Sequence, residues 1–411
     1  MIRLSTSTIY QSGLNGILRN ESDVLALQQQ ISSGRRVVTP SDDPLAAGKA
    51  ITAYQNLNIT QTYASNREAA NRSLGLESNA LGSIVTTLTD VLTRVVQAGN
   101  GTMADEDRNS LATVLEQSRD ALLALANSTD GNGQYLFSGT TGDAAAYVQD
   151  PNSGIISYNG SAGQRLVQVE QARQMAVSDI GTDIFARATP GTTEYIATAQ
   201  PTNKGTVTFS SPSIVPGNAS AGHNFQITFK TDATTGAMTY SVEDTTTNTV
   251  VQSDVPYESG AEIDLGAAKL ALKGDPADGD TLTVTTAQST GLDMFHTLNS
   301  LITTLRAPSD GNAAAQAQLT NMLATANKKL SINLDNVSTV QASVGARQNE
   351  LDALDTMGSQ RALTDNKTLT DLTKIDYYEA VSAMSMHQLA LQASMAAFSA
   401  VKGTSLFSMN K

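Results

Sequence analysis

Apolar residues recur at helical spacing over both flanks of the chain and at strand spacing in between. The last thirty-five residues set the scheme. From Ala380 to Val401 there is no Lys, Arg, Asp or Glu. Tyr377, Val381, Met384, Gln388, Leu391, Met395 and Phe398 follow a 3–4 alternation, which is a heptad seam. Ala383, Ala390 and Ala397 form a second stripe, and Met386, Ala393 and Ala400 a third. So much small and apolar surface needs cover from more than one neighbouring helix. Such a helix spans about 33 Å, enough for a bilayer. Ser382, Ser385, His387, Gln388, Gln392, Ser394 and Ser399 argue against membrane insertion. The other end, Ser5 to Ser33, carries Ile9, Leu14, Ile17, Leu18, Val24, Leu25, Leu27 and Ile31 among Asn, Gln and Ser. The two patterns predict that the termini lie side by side. They nominate Leu14, Ile17, Val24, Ile31, Val381, Met384, Leu391, Met395 and Phe398 as an assembly interface.

Between these ends the chain reads as an excursion out and back. Gly34 stops the first helix, and Asp43-Pro44 starts the second as N-cap and first residue. The second helix runs from Pro44 to about Ala98, with a seam of Leu74, Leu81, Ile84, Leu88, Val91 and Val95. A third covers about Asp105 to Asn127. Residues Gln134 to Phe185 read as turn-rich hairpins, with strand signals at Tyr135, Phe137, Ile155, Tyr158 and Leu166 to Val169. From about Pro190 to Thr290 the chain is rich in Thr and alternates with period two, as in Phe225, Ile227, Phe229 and Met238, Tyr240, Val242. Helix returns at Leu292. A long heptad run follows: Leu319, Leu323, Ala326, Leu330, Asn333, Val337, Val340, Val344, Arg347, Leu351 and Leu354. A polar Asn333 in that seam fixes register at a cost in stability, and Gly358-Ser359 reads as a joint. Proline agrees with this division: eight of the ten lie between Pro151 and Pro308.

The expected fold is mainly α with β. Paired N- and C-terminal helices form a coiled-coil bundle, with a β-hairpin subdomain and an inserted all-β domain. The expected divisions are residues 1–43 with 365–411 as terminal assembly helices and 44–188 with 291–364 as a helical bundle. The bundle includes the hairpin region 134–185, and residues 189–290 are the outer β-rich domain.

Composition narrows the function. The net charge of −13 argues against nucleic acid or an anionic membrane as partner, since both need a surplus of Lys and Arg. The chain has no cysteine, hence no disulfide framework, thiol nucleophile or thiolate metal site. The first residues lack an apolar signal core. His223, His296 and His387 are far apart and fit no metal spacing. Asp275, Asp278 and Asp280 do not follow the calcium-loop pattern and read as a turn. Asp105-Glu106-Asp107 complements a helix N-terminus. No catalytic constellation, cofactor motif or metal site emerges, so the chain reads as a structural protein rather than an enzyme.

Gln28-Gln-Gln-Ile-Ser-Ser-Gly34-Arg-Arg-Val-Val-Thr-Pro40-Ser-Asp-Asp-Pro44 resembles the N-terminal signature of the flagellin superfamily. The Pro40-Ser-Asp-Asp-Pro44 form is similar to its hook-associated branch. So are Gly133-Gln-Tyr-Leu-Phe-Ser-Gly139, Tyr158-Asn-Gly160, Gly181 with Phe185, and Val344-Gly-Ala-Arg-Gln-Asn349. In the inserted region Tyr257-Glu-Ser-Gly260, Gly274-Asp-Pro276 and Gly279-Asp280 resemble repeats of the same branch. The resemblance implies a bacterial flagellar structural subunit, exported through the flagellar channel without a cleaved signal peptide. It implies a ring of neighbouring copies between the hook-side junction protein and flagellin, an export chaperone as a further partner, and no nucleic acid or membrane insertion. The alternatives are a filament-forming flagellin and a surface adhesin or enzyme acting through residues 190–290. The ending Leu406-Phe-Ser-Met-Asn-Lys411 is unlike the usual flagellin terminus.

Overall fold

The computed structural model describes residues 6–403; Ser5 and the ending Leu406 to Lys411 lie outside them. The chain divides into two compact units, Met1–Asn66 with Ala353–Lys411, and Arg67–Asp352. Seven helices are described: α1 (Thr6–Ser33), α2 (Pro44–Ala98), α3 (Asp105–Ala126), α4 (Gly181–Phe185), α5 (Met294–Arg306), α6 (Ala313–Thr373) and α7 (Tyr377–Gly403). The helix α2 keeps its expected bounds because proline opens it and Gly99 follows it.

In residues 67–352 the apolar seam of α2 forms the core. Leu74, Leu81, Ile84, Leu88 and Val91 are fully buried. On α6 the seam positions Leu319, Leu323, Ala326, Leu330, Asn333, Val337, Val344 and Leu351 are buried as their spacing predicts. Gln348 Nε2 donates to Asn71 Oδ1 at 3.4 Å, and the side chains of Gln341 and Gln348 cover Gly82 and Gly75. The chain direction of α2 and α6 is therefore opposed along this contact.

Two expectations fail on α6. Gly358-Ser359 is not a joint, since the helix runs through both without interruption. A mid-helix glycine costs only about 1 kcal/mol, less than the good helix formers around it supply. Asn333 is not a register device between helix seams either. Its Nδ2 donates to the Leu292 carbonyl at 3.1 Å, just before α5. It belongs to a row of polar side chains on one face of α6 that hold backbone. Gln318 Nε2 donates to the Asn203 carbonyl at 2.8 Å, and Thr325 Oγ1 to that of Ala197 at 2.8 Å. Asn336 Nδ2 donates to the Asp183 and Ile184 carbonyls at 2.7 and 3.1 Å. Asn321 makes a pair, donating to the Val207 carbonyl at 2.9 Å and accepting the Phe209 N–H at 3.1 Å. That amide stands in for a neighbouring strand.

The hairpin region holds β1 (Tyr147–Gln149) paired with β2 (Ile156–Tyr158), and β3 (Leu166–Glu170) paired with β4 (Arg173–Ala176). Tyr135 and Phe137 lie outside these strands, because Gly133 and Gly139 take positive φ on either side and curl the segment. Phe137 is instead fully buried with Phe185, ring centroids 6.0 Å apart, and Tyr147 packs on Phe185 and Phe295 at 5.4 and 5.0 Å. Gly181 is required beside them: a Cβ there would stand 2.8 Å from Tyr147.

The Thr-rich stretch forms β5 (Tyr195–Ala199), β6 (Thr208–Phe209), β7 (Ser213–Ile214), β8 (Phe225–Thr231), β9 (Met238–Asp244), β10 (Thr249–Pro256), β11 (Glu262–Asp264), β12 (Ala268–Lys273) and β13 (Thr281–Thr286). One antiparallel sheet has the order β10-β9-β8-β13-β5; a second has β11-β12-β6, with β7 also on β12. Phe225, Ile227, Phe229, Leu282 and Val284 from the first meet Phe209, Ile263, Leu270 and Leu272 from the second in one buried cluster, as period-two alternation requires. Ala324 of α6 packs against that cluster.

A terminal helix pair as candidate assembly interface

The helices α1 and α7 pair antiparallel within the terminal unit. Tyr10 packs on Phe398 with tilted rings, centroids 4.7 Å apart, Asn20 Nδ2 donates to Ser394 Oγ at 3.2 Å, and His387 Nδ1 stands 3.5 Å from Asp23 Oδ2. The contact is narrow. On α1 it uses Ile17, Asn20, Val24, Leu27 and Ile31, all half-buried. On α7 it uses Ala380, Met384, His387, Leu391, Ser394 and Phe398, of which Ala380 alone is buried.

The structure thus brings Ile17, Val24, Ile31, Met384, Leu391 and Phe398 together at the pair. Leu14, Val381 and Met395 point away from it and are 40%, 45% and 49% exposed. The row facing α1 follows the small and polar residues Ala380, His387 and Ser394, so Tyr377, Val381, Gln388 and Met395 are left on the outside. Leu18, Leu25, Met386 and Leu389 are exposed as well, between 54% and 70%. One partner helix covers one stripe of a helix, and here several stripes are apolar. The outer faces form the kind of contiguous apolar surface that marks an interaction site.

A clasp of turns holds the base of this pair. Gly34 takes φ +67°, and a side chain there would crowd the Tyr377 hydroxyl. The Arg36 N–H donates to the Thr373 carbonyl at 2.7 Å and its guanidinium to the Leu372 carbonyl at 3.1 Å. The Ile375 N–H donates back to the Gly34 carbonyl at 3.2 Å. Asp42 accepts the N–H groups of Val38 and Thr39 at 2.9 and 2.7 Å. The Thr39 bonds, backbone first, hold its pKa below the usual carboxylate value. Asp43 caps α2 by accepting the Ala46 N–H at 2.9 Å, pairs with Arg36 at 3.1 Å, and is likewise held low. The signature from Gly34 to Pro44 therefore builds a joint. Sequence reading identified the stop and start but not the crossing bonds to Leu372, Thr373 and Ile375, which involve residues more than three hundred positions away.

The other candidate chemistry is occupied structurally. His223 Nδ1 lies 2.6 Å from Asp244 Oδ2, and Asp244 also accepts the Thr246 N–H at 2.9 Å. His296 is exposed on α5. Asp280 accepts the N–H groups of Lys204, Gly205 and Ala277, which makes it the centre of a turn. Asp105 accepts the Ser309 N–H and pairs with Arg108, beyond its place at a helix start. Among the described residues no group of three His, Cys, Asp or Glu could hold a metal ion, and no helix is long and apolar enough to cross a membrane.

Comparison with known proteins bears on this pair directly, because both ends of the chain are matched. Residues 4–141 match the bacterial flagellin N-terminal helical region. Flagellar hook-associated protein 3 of Salmonella typhimurium is 28% identical over 410 residues, covering 100% of both chains. The chain is thus similar to flagellar hook-associated protein 3 along its whole length. The crystal structure of hook-associated protein 3 from Legionella pneumophila superposes with a TM-score of 0.68 at 27% identity, over 78% of this chain and 98% of that one. The fold is accordingly flagellin-like, with paired terminal helices and a central β-rich region. The flagellar filament 41 kDa core protein of Borreliella burgdorferi is 32% identical, but over 34% of this chain and 40% of its own length. The likeness to hook-associated protein 3 is end to end, and that to this filament protein is partial.

Proposed function

We propose that the chain is a structural subunit of the bacterial flagellum that forms the junction between hook and filament. The end-to-end likeness to hook-associated protein 3 carries this reading. The uncovered apolar faces of α1 and α7 support it, since an assembling subunit needs surface that only neighbours cover. In this reading copies form a ring. The ring binds the hook-side junction protein on one side and flagellin on the other, and the chain reaches it by export through the flagellar channel with a chaperone's help. Leu14, Ile17, Val24, Ile31, Val381, Met384, Leu391, Met395 and Phe398 contribute the assembly interface. A filament subunit is the weaker reading, because the filament likeness above is partial.

Electron microscopy of cells lacking the gene tests the proposal. Hooks without filaments, with flagellin in the medium, are expected; normal filaments would refute it. The same reading makes residues 1–43 with 365–411 the assembly helices and 189–290 an outer domain not needed for attachment. Joining Ala188 to Thr290 through a short linker, with Asn321 and Thr325 left to water, should preserve filaments. Loss of filaments at normal export would overturn that division.

A further inference from the structure

We propose that two glycine–aromatic contacts, Gly13 with Phe398 and Gly34 with Tyr377, lock the register of α1 against α7. The lock sets the level at which the outer apolar residues of the two helices stand, and its use in assembly rests on the reading above. The contact row of α1 alternates steps of four and three through Gly13, Ile17, Asn20, Val24, Leu27 and Ile31, and the row of α7 does the same from Ala380 to Phe398. Two such rows still face each other after a slip of one heptad, so their spacing alone leaves the register open.

Gly13 is the position in the α1 row without a side chain. A Cβ there would stand 3.1 Å from the Phe398 ring, closer than side chains ordinarily pack. Gly13 lies inside α1 and takes no left-handed φ, so glycine brings no conformational benefit and only weakens the helix. What the position requires is the close approach of the ring. Tyr10, one turn earlier, holds the same ring from its other neighbour on the row, with centroids 4.7 Å apart. Gly16 offers a contrast on the same helix, since nothing lies within 4 Å of a Cβ built there.

At the other end of the pair a Cβ on Gly34 would stand 3.0 Å from the Tyr377 hydroxyl. Gly13 and Gly34 lie three whole heptads apart, and Tyr377 and Phe398 lie three whole heptads apart as well. Both aromatic side chains therefore reach glycine in one and the same register. A slip of one heptad in either direction would set Phe398 against Thr6 or Asn20 instead. Counting inward from Gly13 and Phe398 also sets Ile17 level with Ser394 and Ile31 level with Ala380, large against small. The Asn20–Ser394 bond and the approach of Asp23 to His387 fall within one turn of that count.

The chain has no cysteine, so introduced pairs report register in the purified full-length protein. Asn20→Cys with Ser394→Cys spans a native contact. Leu27→Cys with Ser394→Cys spans the same helices one heptad out of register, about 10 Å along the axis and beyond the reach of a disulfide. With a mild copper oxidant the first pair should close about tenfold faster than the second. Gly13→Leu fills the seat and should remove most of that preference. Gly16→Leu gains the same helix propensity in open space and should keep it. An unchanged preference in Gly13→Leu, or an equal loss in Gly16→Leu, would overturn the lock. In cells, Gly13→Leu should prevent filament attachment, and adding Phe398→Ala, which vacates the space, should restore it. Filaments on Gly13→Leu cells, or no rescue by the second change, would overturn the role of register in assembly. Gene-deleted cells with normal filaments would remove the assembly reading and leave the lock as measured on the purified chain.

Discussion

Residues 67–352 bury Leu74, Leu81, Ile84, Leu88, Leu330 and Val344 completely, whereas the buried apolar residues of the other unit are Ala46, Ala53, Leu354, Ile375 and Ala380 among the described residues. Most of the large exposed apolar side chains belong to that second set of helices, although it is the smaller part of the chain. Both regions have helical sequence of similar hydrophobic period. The difference is where their cover comes from. One region closes its core with its own strands, hairpins and helices. The other has one helix per helix, too little burial to offset much ordering entropy, and surface left for other molecules. Regular apolar spacing is therefore evidence for a helix, and not for a finished core.

The sharpest way to break this comparison is to place the same charge in both regions. Leu88→Asp buries an unpaired carboxylate in the closed core and should cost at least about 4 kcal/mol, enough to lower the melting temperature by roughly 10 °C. Leu391→Asp puts the same group on the half-buried terminal pair, with no Lys or Arg between Ala380 and Val401 to meet it. It should leave the melting temperature of the purified chain nearly unchanged and abolish filament attachment. Equal melting shifts for the two variants would refute the contrast.

Acid and base should act on the two regions in opposite senses. Glu77 is fully buried on α2, accepts the Asp179 N–H at 2.9 Å, and has its other oxygen without a partner. Burial, and then the charge of Asp179, push its pKa from 4.5 up to about 8. The folded chain holds a proton there that the unfolded chain releases. The contribution is intact below 4.5, is lost as pH rises towards 8, and levels off above. Glu77→Gln keeps the accepting oxygen and should stabilise residues 67–352 by about 3 kcal/mol at pH 8 and not at all at pH 4. Chemical denaturation at the two pH values measures this. Asp42 and Asp43 are held low, so the clasp of the terminal unit is complete above their ordinary value of 3.8 and loosens as pH falls below it. Amide shifts of Val38 and Thr39 report that change; shifts that stay flat in acid would contradict it.

Polar side chains give a smaller test. Asn336→Leu leaves two carbonyls at the end of α4 without donors and should cost about 2 kcal/mol by denaturant titration. Asn20→Leu removes the bond to Ser394 and should be near neutral in the free chain. The last expectation is one of order rather than energy. A nonspecific protease should cut within α1 and α7 before it reaches residues 67–352. Simultaneous loss of both regions would mean that the terminal pair is as firmly closed as the rest.

The sequence by itself determined what depends on near neighbours. Period 3.6, Gly34, Pro44 and Gly99 bounded α1 and α2, and alternation in Phe225 to Phe229 and Met238 to Val242 marked β8 and β9. Those signals are local because backbone hydrogen bonds and side-chain direction repeat within a few residues. The apolar interface candidates were legible for the same reason, as stripes on α1 and α7. Which stripe faces the partner helix was not legible: heptad rows through Val381 and through His387 both contain Met384 and Leu391, and only the packed pair distinguishes them. Asn333 read as a polar position in a coiled-coil seam until the Leu292 carbonyl was seen against it, and Asn321 and Asn336 carried no signal until those of Val207 and Asp183 were. Glu77 and the Arg36 clasp likewise take their meaning from residues far along the chain. Desolvation and long-range hydrogen bonds depend on what the fold brings within a few ångströms, and no period in the sequence encodes that.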